Sequence, residues 1–134
     1  MAQYGEAARN AMLDSLETTL GTAAKLRVYS GTAPANAGTA ASGTLLLEYT
    51  LATDWAANAA SGSKALTGTP LTTTALAAGT AGYYRFVNNA GTVVSVQGPA
   101  SATGGGGELT FDNATFTVGQ TVNVTAYSFT IGGA

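Results

Sequence analysis

The stretch 82-GYYRFVNNAGTVVSVQG-98 decides how the rest of the chain is read. Successive side chains of a strand point to opposite faces. Tyr84 and Phe86 therefore share one face, and Tyr83, Arg85 and Val87 the other. Asn88-Asn89-Ala90-Gly91 supplies residues that tolerate positive φ, and Thr92 to Gln97 returns as the partner strand. A β-hairpin is predicted here, and the centre of the chain is β.

Working toward the N-terminus, Thr44 to Leu51 places Leu45, Leu47, Tyr49 and Leu51 on one face and Leu46, Glu48 and Thr50 on the other, which predicts a central strand. Lys25 to Ser30 alternates as a half-buried strand, with Leu26 and Val28 on its inner face. Between them, Gly31 to Gly43 is a loop rich in small residues, with Pro34 inside it. The first segment is different. From Glu6 to Leu20, Ala8, Met12, Leu16 and Leu20 recur every four residues, with Ala11 and Leu13 beside them, and this predicts one amphipathic helix. Arg9, Asn10, Asp14, Glu17 and Thr18 fall on the predicted outer side. Glu6 suits the positive end of the helix dipole, and Gly21 stands where a left-handed C-cap is expected.

Toward the C-terminus, Lys64 to Gly68 reads as a short strand and Leu71 to Ala78 is ambiguous. Glu108 to Phe111 and Thr115 to Val118 read as strands joined through Asp112-Asn113. Gln120 to Ile131 reads as one long strand whose apolar parity flips between Val124 and Tyr127. The flip implies a β-bulge, or two halves packed on different partners. About eight short strands punctuated by Gly, Asn and Pro argue for a mostly β fold, a β-sandwich or jelly roll, with one N-terminal α-helix. The expected organisation is an N-terminal arm, 1–5, and a single β-sandwich domain, 6–134, that includes helix 6–20.

Composition narrows the function. Of 134 residues 46% are hydrophobic and only 9% charged, with a net charge of -2. So uncharged a surface loses little when it is stripped of water, and this favours protein–protein packing. Arg9, Lys25, Arg27, Lys64 and Arg85 are scattered, so neither nucleic-acid binding nor a polybasic membrane contact is expected. The absence of His and Cys removes the commonest general base, the commonest metal ligand and all thiol chemistry. No cofactor, metal or enzymatic activity is expected. The start of the chain lacks a signal-peptide pattern, which leads us to expect synthesis in the cytoplasm.

Gly104 to Gly107 is not a phosphate loop, since Glu108 and a strand follow where a Lys, a Ser or Thr and a helix are needed. It reads as a flexible loop or tight corner. Glu108 and Asp112, four apart, are the close acidic pair outside the helix, and Asp54 beside Trp55 suits a sugar site. A carbohydrate-binding or glycan-cleaving module on these four residues is one reading; solvated carboxylates and a core tryptophan are the simpler one. Tyr4, Tyr83 and Tyr127 are the candidate protein–protein contacts, because aromatics are enriched at interface hot spots. Tyr4 is expected to anchor the arm on another chain. Asn113-Ala114-Thr115 and Asn123-Val124-Thr125 match the N-glycosylation pattern by chance in so Thr-rich a chain.

Three stretches also carry a resemblance: ARNAMLDSLETTLG at 8–21, SGTAPANAGTAASGTLLLEYTLATDW at 30–55 and SATGGGGELTFDN at 101–113. Together they resemble a family of small virion structural proteins of tailed bacteriophages. The resemblance implies a virion component and brings no catalytic residues with it. The expected role is a capsid decoration (cement) protein on the phage head, with a neck, tail or fibre component as the alternative. The expected partners are other virion proteins, the major capsid protein first, and further copies of the chain, a trimer above other states.

Overall fold

The computed structural model describes residues 3–68, 70–125 and 127–130. It is mostly β, with one helix and a sandwich-like arrangement of short strands. The elements in order are α1 (Glu6–Leu20), β1 (Lys25–Ser30), β2 (Leu45–Thr50), β3 (Ser63–Ala65), β4 (Leu71–Thr74), β5 (Gly79–Val87), β6 (Val94–Ala102), β7 (Leu109–Phe111), β8 (Thr115–Phe116), β9 (Thr121–Val124) and β10 (Ser128–Thr130). The main sheet runs β2-β1-β5-β6-β7, and β8 pairs with the start of β5; β3 pairs with β10 and β4 with β9. No helix among the described residues is long and apolar enough to cross a membrane.

The predicted hairpin is β5–β6, paired antiparallel from Tyr83↔Pro99 to Val87↔Val94. Its parity sorts the sheet into two faces. Leu26, Val28, Leu47, Tyr49, Tyr84 and Phe86 lie in register on the inner face. There they meet Leu13, Trp55, Phe129 and the small sheets in one continuous core. Tyr29, Arg27, Glu48, Tyr83, Arg85 and Gln97 occupy the outer face. Loop 31–43 covers that face: Tyr83 Oη donates to Ser42 O (2.6 Å) and accepts from its N–H (3.0 Å), Arg85 Nη2 donates to Thr39 O (2.6 Å), and Gln97 Nε2 donates to Pro34 O (3.0 Å).

The structure corrects four expectations. The β2 strand is an edge, not a central strand. The start of β2 is apolar on both faces because the chain after β4 shields it, with the Leu76 N–H on Leu46 O at 2.8 Å; a covered edge escapes stray pairing. The long terminal strand is two strands: β9 pairs with β4 and β10 with β3. The parity flip therefore reports a change of partner. That split, and the pairing of the Thr-rich run as β4, raise the strand count from about eight to ten among the described residues.

The helix has the predicted bounds but is turned about its axis. Leu13 and Leu20 are buried, whereas Ala8 and Ala11 are exposed. The surface it covers is the irregular segment 56–64, whose backbone N–H groups need acceptors. Polar residues meet that need. Glu17 Oε2 accepts from Ala56 N–H (3.3 Å), Asp14 Oδ1 from Ala59 N–H (2.9 Å) and Asn10 Oδ1 from Gly62 N–H (3.0 Å). Beneath them, the Lys64 ammonium reaches Asp14 Oδ1 at 2.8 Å, Glu17 Oε1 at 3.1 Å and Ala57 O at 2.9 Å.

The four glycines form the corner between β6 and β7, which run parallel from Ala100↔Leu109 to Ala102↔Phe111. Parallel neighbours ordinarily need a dozen or more connecting residues; here 103–108 suffice. Gly104 and Gly106 both take φ +87°, and a Cβ on Gly107 would lie 2.7 Å from both Ser101 N and Ser101 Oγ. Residues with side chains cannot make so short a return.

Candidate functional site

The three tyrosines named as contacts have different fates. Tyr4 precedes the helix and is 50% exposed, so it remains available to a partner. Tyr83 is fully buried under loop 31–43, stacked on Tyr29 at 5.0 Å, and has no surface to offer. A strand face that looks outward in sequence is indoors once a loop lies across it. Tyr127 is half-buried, with its ring against Tyr84, Phe86 and Phe129, so most of its contacts are internal. Met1 and Ala2 of the arm lie outside the described residues.

Tyr127 borders a groove of about 540 Å³ with Leu13, Leu16, Tyr84, Val96 and Glu108. The Tyr84 hydroxyl is hydrogen-bonded to Glu108 Oε1 at 3.1 Å and to the Tyr127 hydroxyl. A carboxylate only accepts, so Tyr84 donates to Glu108 and Tyr127 donates to Tyr84. Gly98 makes room, since a Cβ there would collide with Glu108 Oε1 and the Tyr84 hydroxyl. Burial pushes the Tyr127 phenol up to about 12, the bond to Tyr84 works the other way, and the nearby Glu108 charge adds to the rise. Burial, then Tyr127 and Glu108, push the Tyr84 phenol up as well. Both phenols stay protonated at neutral pH and offer hydrogen bonds.

The sugar-site residues do not converge. Trp55 is fully buried, donates from Nε1 to Gly21 O at 2.9 Å, and stacks on Phe86; it has no ring face for a sugar. Asp54, Glu108 and Asp112 line three separate depressions. Among the described residues no group of three or more carboxylates is placed to hold a metal ion.

On the outer face, Arg27 stands opposite Arg85 in register. Both line a depression of about 330 Å³ roofed by residues 37–41 of the loop and flanked by Gly91, Thr92 and Val94. Arg27 Nε donates to Glu48 Oε2 at 2.8 Å, and Lys25 Nζ lies 3.4 Å from the other oxygen of Glu48. Burial would raise the Glu48 carboxyl, but the bonds from Arg27 and Lys25 outweigh it and hold its pKa below the ordinary range. The two arginines are remote in sequence and meet only through the β1–β5 register, so no local pattern pairs them.

One further surface feature escaped the sequence reading. Leu76 and Val118 are 57% and 70% exposed, the two most exposed large apolar side chains among the described residues. The segments that carry them run close together, because Ala75 N–H bonds Gln120 O at 2.8 Å and Gly119 N–H bonds Ala75 O at 2.9 Å. No family model, no curated protein and no solved structure matches the chain.

Proposed function

We propose that the protein is a non-enzymatic virion structural protein, a capsid decoration protein that binds the major capsid protein on the outside of a phage head. The observation that carries this reading is the exposed Leu76–Val118 pair on a surface poor in free charge. Lys64 and Arg85 are buried, and Asp14, Glu17, Lys25, Arg27 and Glu48 are held in ion pairs. Few charges are left to be stripped of water when such a surface packs against another. Burying a Leu or Val side chain contributes about 1.5–3 kcal/mol, and repetition by symmetry multiplies the effect over a shell. The three stretches that resemble phage virion proteins support the same reading, as does Tyr4 at the head of the helix. Self-association, a trimer first, belongs to this proposal.

The test is attachment to undecorated heads. Leu76→Asp with Val118→Asp should leave the fold intact, because both side chains are already in water, and should strip the protein from the particle. Unchanged attachment of the double variant would remove the basis of the proposal. Copy number separates the head from the neck or tail: on the order of hundreds per particle for decoration, about a dozen or fewer for the alternative.

A further inference from the structure

The outer face of the main sheet concentrates positive charge in an acidic chain. Lys25, Arg27 and Arg85 sit on neighbouring strands there, three of the five basic residues of the sequence, and Glu48 is the one carboxylate in register with them. The local sum is three positive less one negative, or +2, in a molecule of net charge -2. Loop 31–43, the β5–β6 turn and β6 bring no charged residue to the depression.

Like charges directly opposite one another on paired strands repel, and Arg27 and Arg85 are so placed. Arg27 is neutralised by Glu48 through Nε, which turns its two Nη groups toward the hairpin turn; a Cβ on Gly91 would lie 2.9 and 3.0 Å from them. Arg85 is buried, and its hydrogen bonds go to neutral oxygens: Nε to Gln97 Oε1 at 2.8 Å and Nη2 to Thr39 O at 2.6 Å. Among the described residues no carboxylate lies within ion-pair distance of it. A buried cation with no counter-charge is costly, and this one borders a depression shared with a second guanidinium.

We infer that this depression is a binding site for a small oxyanion, a carboxylate or phosphate group held between the Nη groups of Arg27 and the guanidinium of Arg85. Guanidinium donors are fixed in a plane that matches such oxyanions two bonds at a time. A volume of about 330 Å³ admits one such group. Gln97 and the Thr39 carbonyl hold the Arg85 guanidinium in place beforehand, and the glycine at 91 keeps the entry side clear of a side chain. The site is independent of the Leu76–Val118 surface.

The test follows the side-chain Nε–Hε resonances of Arg85 and Arg27 by NMR while inorganic phosphate, and separately acetate, is titrated at constant ionic strength with chloride. The expected result is a saturable shift of both resonances with at least one of the two anions. The stronger of the two identifies phosphate or carboxylate as the natural group. Arg27→Gln, at a partly exposed position, should keep the fold and weaken binding about tenfold or more, the loss of one charge-assisted contact. Arg85→Lys keeps the charge, loses the planar fork and should also weaken it. Shifts that do not saturate with either anion, or equal binding by Arg27→Gln and the wild type, would overturn the inference.

Discussion

Lys64 is the ionic link between the helix and the body, and its neutralisation is measurable. Its side chain is 0% exposed, while the side chains of Asp14 and Glu17 are 46% and 23% exposed. Asp14→Asn with Glu17→Gln preserves the side-chain oxygens that accept from Ala59 and Ala56, and removes only the two counter-charges. Lys64 is then a buried cation facing amide oxygens. Removing the partner of a buried ion pair costs about 3–5 kcal/mol. Because Asp14 is half in water, screening trims its attraction, and a loss of about 2–4 kcal/mol is expected. In a domain of this size that is on the order of 10 °C in Tm. Adding Lys64→Met removes the stranded charge and keeps the volume, so the triple variant should recover to within about 1 kcal/mol of wild type. Urea unfolding of the three proteins reads this directly. If the double variant is as stable as wild type, or the triple no better than the double, the ionic link does not hold the helix down.

Stability should fall on both sides of a neutral plateau. The Asp14 carboxyl, lowered chiefly by its bond from Lys64, contributes above the ordinary Asp value of about 4 and is lost as pH falls below it. Burial drives the phenols of Tyr49 and Tyr84 up and that of Tyr127 to about 12, so their contribution is complete below about 10 and drains away as pH rises toward the folded values. Tyrosinate absorbance should show these three ionising well above 10, or on unfolding; titration near 10 in the folded protein would refute it. Trp55→Ala should cost about 3–5 kcal/mol in chemical denaturation, and a stable variant would mean the Trp55–Phe86–Phe129 cluster is not the centre of the core. Gly107→Ala should cost about 1–3 kcal/mol, because the added Cβ meets Ser101 backbone; an unchanged denaturation midpoint would show that the corner gives way. Deleting residues 2–5 should leave the unfolding midpoint unchanged and weaken attachment to heads, and equal attachment would reduce the Tyr4 arm to an idle tail.

Local signals were enough for the helix bounds, the hairpin and β1, but not for β4, whose Thr-rich run reads ambiguously until β9 pairs with it. A period of 3.6 or 2 and a glycine or asparagine at a turn are properties of a few adjacent residues. The parity flip between Val124 and Tyr127 already said that the terminal run changes its surroundings, though not whether by a bulge or by a change of partner. Which way the helix turns was not readable, because Asn10, Asp14 and Glu17 look like a solvent face until segment 56–64 arrives with unpaired N–H groups. The same holds for the outer face of β5. Tyr83 and Arg85 alternate as exposed residues should, and only loop 31–43, pinned from Pro34, Thr39 and Ser42, makes them interior. The Arg27–Arg85 depression and the Leu76–Val118 pair are likewise products of register between strands remote in sequence. Alternation fixes which residues share a face; what covers that face depends on long-range closure of the chain, and that only the tertiary structure decided.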